Sequence, residues 1–427
     1  MKINRNEIEI MAPVGSFESL TAAIQAKTDA VYFGAGNLNM RANSSMNFNI
    51  YDLEKITNIC KEHNIKSYLT LNTVIYDEDI ENMKQLIDFA KNADIDAVIA
   101  SDFAVIEYAC KQNVTVHCST QLNISNSHSL EYYAKFAEVI VLARELNLSQ
   151  VSNIYKYINE NQVKSPSGNL VRIEMFIHGA LCMAISGKCY LSLHEQNRSA
   201  NRGACVQVCR RSYRVTVDEK IDNDNISYEQ ENQLEIDNKY IMSPKDLCTI
   251  SFLDKILQAG ARVLKIEGRG RSPEYVKRVV ECYNQAIDAI IANTYSKELI
   301  DELTIKLSEV FNRGFWDGYY LGRKLGEWSE RHSSSATKRK EFIGVCTNYF
   351  SRIGVGEFIV QTGKLNIGDD VVIIGPTTGV LEIKVTEMHD DLGNIECVNK
   401  GQLFAIPVSE KIRRNDKLYK LVEIIEY

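Results

Sequence analysis

The sequence predicts an α/β protein: a (β/α)8 TIM-like barrel with a cysteine-rich insertion, followed by a small C-terminal all-β barrel. Over the first 290 residues, short runs rich in β-branched residues alternate with amphipathic helical patterns. Such alternation is typical of a parallel sheet with helices outside it. Eight or nine strands in about 270 residues fit a closed barrel better than an open doubly wound sheet. No glycine-rich GxGxxG turn follows the first predicted strand, which argues against a dinucleotide-binding sheet.

The predicted barrel elements follow one another in chain order. Strands are predicted at Ile8–Pro13, Ala30–Gly34, Lys66–Thr73, Ala97–Ser101, Val114–Ser119, Glu138–Arg144, Val171–His178 and Arg262–Glu267, with Lys239–Ser243 as one extra candidate. Helices are predicted at Ser16–Lys27, Tyr51–His63 and Asp79–Asn92, and helical patterns follow the later strands as well. In the second helix, apolar Leu53, Ile56, Ile59 and Cys60 recur at helical spacing, which indicates one buried face.

The helical pattern ends after Gly322, and the chain then divides. Residues 1–328 are predicted to form the barrel domain, with the cysteine-rich insertion at 174–214. The polar, serine-rich and basic stretch 329–340 is predicted to be a linker. From Glu341 onward, short apolar runs such as Val371–Ile374 are separated by turn signals such as Gly393–Asn394. This pattern predicts a small β-barrel domain over 341–427.

Length and charge limit the classes of protein to which the chain can belong. Its 427 residues predict two domains. The net charge of −7 excludes a basic field over the whole molecule, so a nucleic-acid partner would have to meet a local patch. The N-terminus lacks the apolar core of a signal peptide, and no apolar run reaches the roughly 18–20 residues that span a bilayer. We therefore expect a cytoplasmic protein without a membrane partner.

Four of the eleven cysteines are clustered. Cys182, Cys189, Cys205 and Cys209 lie within 28 residues, separated by six, fifteen and three residues. Disulfides are rare in the cytoplasm, whereas four thiolates in one loop bind zinc or an iron–sulfur cluster. The spacing lacks the close pairs of a structural zinc site, and a cubane accepts irregular spacing. The spacing thus favours an iron–sulfur cluster, with a zinc site and reduced structural thiols as the open alternatives.

The segments around these cysteines resemble the signature of peptidase family U32. Glu174–Cys182 (EMFIHGALC) and Ser186–Ser192 (SGKCYLS) carry the resemblance. Shorter matches extend it over nearly the whole chain, at Met11–Gly15, Tyr32–Gly36, Arg41–Ala42, Asn47–Phe48, Ser243–Leu247, Lys265–Arg269 and Asn312–Phe315.

Length and the C-terminal β domain make the chain similar to the family members that hydroxylate tRNA. This resemblance implies oxygen-independent formation of 5-hydroxyuridine at the tRNA wobble position, with tRNA as partner and prephenate as the source of the hydroxyl group. It also implies a 4Fe–4S cluster on the four clustered cysteines, and a paralogous U32 subunit as a possible further partner. Related members hydroxylate ribosomal RNA or a quinone precursor.

Polar side chains are dense at the predicted C-terminal ends of the strands, where barrel enzymes carry their chemistry. His117 and His178 are candidate proton-transfer groups, since histidine titrates near neutral pH. A hydrogen-bonded structural role is the alternative for each. Lys265 and Glu267 alternate along one strand, so both would face the lumen. Two charges buried there would have to pair, which makes a structural ion pair the alternative to catalysis.

Arginines are the candidate anion-binding groups. Arg269 and Arg144 could hold phosphate or carboxylate groups, as a dicarboxylate such as prephenate would require. Arg210, Arg211 and Arg214 form a basic patch beside the cysteines, which is either a contact for RNA or a solvated face.

Other functions remain alternatives at this stage. A uridine must leave its stack to be modified, and Phe176, Tyr190 and Tyr213 are candidates for stacking on it, with packing as the alternative. A collagenase-like U32 peptidase would need a catalytic site, but the sequence contains neither HExxH nor GxSxG. A zinc-stabilised RNA-binding module and a hydroxylase of ribosomal RNA or of a small aromatic molecule are further alternatives.

Overall fold

The computed structural model of the protein describes residues 3–43, 47–214, 239–323, 326–331 and 333–424. The strands of the N-terminal domain are β1 (Glu9–Pro13), β2 (Ala30–Phe33), β3 (Lys66–Leu71), β4 (Ala97–Ala100), β5 (Val116–Cys118), β6 (Val139–Val141), β7 (Arg172–Gly179), β8 (Asp246–Cys248), β9 (Val263–Ile266) and β10 (Phe315–Trp316). Its helices are α1 (Phe17–Gln25), α2 (Leu53–Glu62), α3 (Ile80–Asn92), α4 (Phe103–Lys111), α5 (Ser127–Ala134), α6 (Leu148–Glu160), α7 (Leu191–Gln196), α8 (Leu253–Gln258), α9 (Pro273–Ala292) and α10 (Lys297–Ser308).

Several helices begin where the sequence supplies a capping residue. The Ser16 side chain accepts the Ser19 N–H at 3.3 Å at the start of α1, and Asp102 accepts the Ala104 N–H at 3.0 Å at the start of α4. These bonds satisfy N–H groups that have no partner within the first turn. In α9 the first position is proline, Pro273, which has no N–H to satisfy. No helix in the described ranges combines the length and apolar character needed to cross a membrane.

Eight parallel strands close into the predicted barrel. Strands β1 to β7 pair in sequence order, β7 pairs with β9, and β9 returns to β1. Strand β8 pairs antiparallel with the end of β7, and β10 pairs with β8, so these two short strands are appended to the ring. The extra strand predicted at Lys239–Ser243 is wrong. That segment is a turn in which the Ser243 N–H donates to the Tyr240 carbonyl at 2.8 Å, and Pro244 follows it.

The alternation of side chains along each strand separates the lumen from the helical layer. Met11, Tyr32, Tyr68, Ile99 and Val263 are among the apolar residues that fill the lumen, and the other strand faces pack under the helices. Strand β7 departs from this alternation because its register with β9 shifts between Phe176 and His178. Such a bulge reverses the side to which later residues point.

The C-terminal domain is all-β, as predicted. Its strands are β11 (Lys338–Phe350), β12 (Val355–Val360), β13 (Lys364–Asn366), β14 (Asp370–Gly375), β15 (Gly379–Lys384), β16 (His389–Asp390), β17 (Gly393–Asn394), β18 (Cys397–Asn399), β19 (Leu403–Pro407) and β20 (Lys417–Glu423). Eight of them form an antiparallel sheet in the order β15-β14-β20-β11-β12-β19-β16-β17, and β13 pairs with β18. Both sheets enclose one apolar core that includes Ile343, Phe358, Leu365, Val398 and Leu418.

The two domains share a contact between α1 and the β14–β15 hairpin. Gln25 donates to the Thr378 carbonyl and accepts the Val380 N–H, both at 2.9 Å. Ala22 packs against Val372 and Val380. The predicted linker 329–340 extends too far, because Lys338–Lys340 already belong to β11. Position 332 of the predicted linker lies outside the described residues.

Candidate functional site

A cavity of about 170 Å3 opens at the C-terminal ends of the barrel strands. Its walls include Tyr32 on β2, Thr70 on β3, Phe176 on β7 and Lys265 on β9. Its outer wall is the cysteine-rich segment, which contributes Cys182, Cys189, Cys205 and Cys209. The structure therefore brings the four clustered cysteines to the end of the barrel where barrel enzymes carry out catalysis.

Hydrogen bonds fasten the first half of this segment to the barrel. The Asn123 amide donates to the Ser186 carbonyl at 3.0 Å, and Arg144 donates to the Ala180 carbonyl at 3.2 Å. Arg210 donates to the carbonyls of Leu181 and Pro244. Three side chains thus satisfy backbone oxygens of a loop that has little regular structure of its own.

The second half of the segment is fastened to the loops after β2 and β3. The Val74 N–H donates to the Asn201 carbonyl at 3.1 Å, and Arg202 forms an ion pair with Asp79. Gly203 has a φ of +78°, and a Cβ there would lie 2.3 Å from the Asn39 carbonyl oxygen. Only glycine allows this backbone approach, so Gly203 lets the chain close over the mouth of the barrel.

The thiols of these four cysteines are all free of disulfide bonds. Cys182 is exposed and the other three are half-buried. Burial raises the pKa of Cys209, and its three neighbouring cysteines raise it further when ionised. Across the described ranges, no three His, Cys, Asp or Glu side chains are placed to hold a single metal ion. Four thiolates are the ligand set of a 4Fe–4S cluster, and all four of these cysteines line the one cavity.

Six cationic side chains and one carboxylate, Glu267, line the cavity. Three of the cations are ion-paired: Arg41 with Glu267, Lys265 with Glu174 and Arg313 with Asp246. The other three, Arg144, Arg210 and Arg269, have no ion pair within the described part of the chain. Their guanidinium groups donate to neutral oxygens, so the site keeps an excess of positive charge.

Lys265 and Glu174 form a buried ion pair across the lumen. Lys265 Nζ lies 2.7 Å from Glu174 Oε1, and the side chains are 6% and 0% exposed. Burial lowers the pKa of Lys265 and raises the pKa of Glu174. Lys265 Nζ also lies 4.6 Å from the centre of the Tyr32 ring. Burial thus disfavours the charged form of each partner, and Lys265 is the member of the pair that lines the cavity.

Glu267 and Arg269 continue β9 into the site. Burial raises the pKa of Glu267, but Arg41, Arg271 and Arg144 together outweigh it and hold the pKa at about 2. Arg41 Nη2 lies 2.8 Å from Glu267 Oε1. Arg269, whose pKa burial lowers to about 10, donates to Thr70 at 2.7 Å and to Asn39 at 3.1 Å. Glu267 is therefore a fixed anion, and Arg269 is a cation held by neutral partners.

The structure does not bring the two predicted histidines to the cavity. His178 follows the β7 bulge and faces the helical layer, where Tyr275, Tyr283 and Phe315 surround its ring. His117 lies in the lumen with its ring 4.6 Å from that of Tyr68, and its Nδ1 has no hydrogen-bond partner among the described residues. Burial lowers the pKa of both to about 3, so neither is poised to exchange a proton with substrate at neutral pH.

Some residues of the predicted basic patch and of the predicted aromatic set are used inside the protein, and others are exposed. Arg210 is used inside the protein, Arg211 pairs with Glu195, and Arg214 is exposed. Phe176 is buried beneath the Arg144 guanidinium, which lies 3.8 Å from the ring centre.

The two tyrosines proposed for stacking, Tyr213 and Tyr190, differ in their surroundings. Tyr213 donates its hydroxyl to the Val208 carbonyl at 2.7 Å. Tyr190 is 72% exposed at the start of α7. Tyr190 is therefore the candidate whose ring is free for stacking.

Sequence reasoning missed three charged residues of the site. Arg41 follows β2 in a loop and pairs with Glu267, Glu174 interrupts the apolar run of β7, and Arg313 follows α10. A lone carboxylate within a buried strand is a signal that could have identified Glu174. Arg41 obeys the strand-end rule, whereas nothing local to Arg313 indicates that it reaches the barrel mouth.

A larger depression of about 850 Å3 lies at the opposite end of the barrel. On its floor Glu9 accepts hydrogen bonds from Tyr68 at 2.7 Å, Lys66 at 2.8 Å and Arg172 at 3.0 Å. The charges there satisfy one another, as expected for the face of a barrel that serves stability.

Comparison with known proteins identifies the family of this chain. The family model for peptidase family U32 matches residues 15–330. A collagenase of Porphyromonas gingivalis is 56% identical over 418 residues, which cover 98% of this chain and 99% of that protein. The tRNA hydroxylation protein P1 of Bacillus subtilis is 30% identical over 396 residues, which cover 90% and 88%.

A third relative shares less of its length. The 23S rRNA 5-hydroxycytidine synthase of Escherichia coli is 31% identical over 334 residues, which cover 77% of this chain and 47% of that protein. The family match spans more than half of the chain and includes strands β2 to β10, the cysteine-rich segment and the residues that line the cavity. This chain therefore belongs to peptidase family U32.

Proposed function

We propose that the protein hydroxylates the wobble uridine of tRNA to 5-hydroxyuridine without oxygen, with a 4Fe–4S cluster and with prephenate as the source of the hydroxyl group. One observation carries the proposal: four free thiols line the same cavity as three guanidinium groups that have no ion pair among the described residues. That combination suits a redox cofactor beside a small anionic co-substrate.

The thiols fit the proposed cluster. Cys182, Cys189, Cys205 and Cys209 would hold it as thiolates, so binding of the cluster would release their protons. When bound, the cluster would supply electron transfer at the mouth of the barrel. The guanidinium groups around it would also stabilise the negative charge of a cluster with four thiolate ligands.

The cations of the site fit a dicarboxylate. Arg144 and Arg269 line the cavity, and the Arg144 Nε atom is buried and has no hydrogen-bond partner in the part of the chain that the structure describes. A guanidinium group with a free donor is suited to bind a carboxylate. Lys265 could hold or move a proton at Nζ, and Glu267 positions Arg41.

The names of the relatives suggest two functions. A relative named for tRNA hydroxylation is 30% identical over 90% of this chain, and a relative named collagenase is 56% identical over 98% of it. The second candidate function is therefore peptide hydrolysis. Against it, the described residues that line the cavity include serine and threonine but no His or Asp that could activate them as nucleophiles.

Metal analysis is the first test. The protein would be purified without oxygen, and iron, acid-labile sulfide and zinc would be measured per chain. We expect about four iron and four sulfide, lost in Cys182→Ala and Cys209→Ala. Cys397→Ala is the matched control, because Cys397 is an exposed cysteine of the C-terminal domain. One zinc without sulfide would exclude the redox proposal.

Nucleoside mass spectrometry tests the reaction itself. In a strain that lacks the gene, tRNA 5-hydroxyuridine formed without oxygen should return with the parent protein and with Cys397→Ala, but not with Cys182→Ala. Equal amounts in all strains would refute the proposed function. Collagen cleavage that survives removal of all four clustered cysteines would instead support the peptidase.

A further inference from the structure

We infer that RNA docks on the outer surface of the cysteine-rich segment, with Tyr190 as the platform on which a base stacks beside the cavity. The inference rests on the proposed function for its choice of RNA, and it adds the surface and the residue that recognise it. Three features of the segment carry it: exposed apolar side chains, local positive charge and a fixed backbone.

The apolar side chains are exposed together. Met183, Ile185 and Tyr190 are 45%, 55% and 72% exposed, and all three lie within eight consecutive residues. Met183 and Ile185 line the cavity, and Tyr190 stands between Cys189 and Leu191, which also line it. A group of exposed apolar side chains at the mouth of a site marks a binding surface.

The charge of the segment is opposite to that of the whole protein. Between Cys182 and Arg214 there are six Lys or Arg residues and one carboxylate, Glu195, in a chain of net charge −7. Arg202, Arg210 and Arg211 are used by internal partners. The remaining cations are exposed and have no ion pair within the described ranges; they are Lys188, Arg198 and Arg214.

These two features together favour single-stranded RNA over a protein partner. An apolar protein surface would leave the three exposed cations unmatched. A nucleotide presents a π face and a phosphate a few ångströms apart, and proteins that bind single strands combine stacking aromatic groups with a cationic track. A flipped base that stacks on Tyr190 would lie at the entrance to the cavity.

The backbone holds this platform in place. The Asn123 amide binds the Ser186 carbonyl at 3.0 Å, and the Tyr190 carbonyl accepts the His194 N–H at 2.8 Å. Gly187 has a φ of +73°, and a Cβ there would lie 2.9 Å from Gln121. An aromatic ring on an ordered loop loses little entropy when a base stacks on it.

The test is the affinity of the full-length protein for an in vitro tRNA transcript, measured by fluorescence anisotropy at several salt concentrations. Tyr190→Ala should weaken binding about tenfold, whereas Tyr190→Trp should retain it, because base stacking tolerates any aromatic ring. Lys188→Ala combined with Arg198→Ala should reduce the slope of log K against log salt by about 1.4. Tyr132→Ala is the matched control, since Tyr132 is 49% exposed on α5, away from the cavity.

Each outcome decides the inference. Unchanged affinity in Tyr190→Ala would overturn it, and so would a change only in self-association, which would assign the surface to a second copy of the chain. Loss of affinity in Tyr190→Ala with no 5-hydroxyuridine formed by the parent would leave the docking surface standing and refute the proposed reaction. If the parent forms 5-hydroxyuridine and Tyr190→Ala binds tRNA normally, the proposed reaction would stand and the docking surface would be refuted.

Discussion

At the scale of single residues, the buried ion pair of Lys265 and Glu174 could serve either the stability of the barrel or the reaction, and variants of the pair can tell these roles apart. Two charges in a barrel lumen are costly to desolvate, and only their mutual contact offsets that penalty. Replacement of one partner leaves the other as an unpaired buried charge, whereas replacement of both partners leaves no buried charge. The pair can therefore be separated experimentally into a contribution to stability and a contribution to reaction.

The first prediction concerns this pair. Lys265→Met should lower the free energy of unfolding by about 3 kcal/mol, because it leaves the Glu174 carboxyl buried without a partner. The double variant Lys265→Met, Glu174→Met should recover most of that loss and remain inactive. Denaturant unfolding and tRNA nucleoside analysis check the two parts. An active double variant would show that the pair serves stability alone.

The second prediction uses the pKa of His178, which burial lowers from 6.5 to about 3. Between these values the unfolded chain binds a proton that the folded chain does not, so stability falls as the pH is lowered through this window. His178 should contribute about 1.4 kcal/mol per pH unit to that slope. In His178→Gln the slope between pH 6.5 and pH 5 should decrease. Unfolding midpoints measured by urea titration would show it, with exposed His128→Gln measured in parallel as the matched control.

The residue scale also shows what sequence reasoning can reach. The cysteines were recognisable as a set because clustering of four thiols in a loop is a local property of the chain. The lumenal direction of Lys265 and Glu267 followed from their spacing in a strand. The partners of these residues, Glu174 and Arg41, come from distant segments, and strand alternation does not specify which charges meet across a barrel.

At the scale of elements, strands were predictable where β-branched runs were buried, and the prediction was wrong where tertiary pairing decided the outcome. Strand β8 forms at Asp246–Cys248 because it lies against the end of β7, not because of its own composition. The bulge before His178 likewise depends on the register with β9. Without that bulge, alternation from Glu174 and Phe176 would direct His178 into the lumen.

The third prediction concerns the end of β2. A Cβ at Gly34 would lie 2.6 Å from Arg269 Nη1 and 2.7 Å from the Asn39 side chain. Gly34→Ala should therefore displace Arg269 and reduce hydroxylation at least tenfold, while the iron content of the protein stays at the parent value. Gly326→Ala is the matched control, because its Cβ would make only ordinary contacts with Trp328 at 3.5 Å. Equal activity of the two variants would mean that Arg269 is not required.

At the scale of the whole molecule, the change from α/β to all-β structure was predictable from the change of pattern near Gly322, but the contact between the two parts was not. The contact uses polar atoms of Gln25, Thr378 and Val380 and the apolar side chain of Ala22. Each of these residues is also compatible with a solvent-exposed surface. Strand β11 begins within the predicted linker, which shortens the connection and restricts how far the domains can separate.

The last prediction tests whether this contact couples the domains. Gly379 has a φ of +67°, and a Cβ there would lie 2.4 Å from Gln25 Oε1. Gly401 has a φ of +89° with no heavy atom within 4 Å of its would-be Cβ. Alanine at either position should carry a similar backbone strain of about 1–2 kcal/mol, and only Gly379→Ala should also disturb the two Gln25 hydrogen bonds.

Scanning calorimetry should therefore show one transition for Gly401→Ala and two separate transitions for Gly379→Ala. Gln25→Ala removes the same two hydrogen bonds without strain, so it should split the transition in the same direction. Identical thermograms for the two glycine variants would mean that the covalent connection, and not this contact, makes the two domains unfold in one transition.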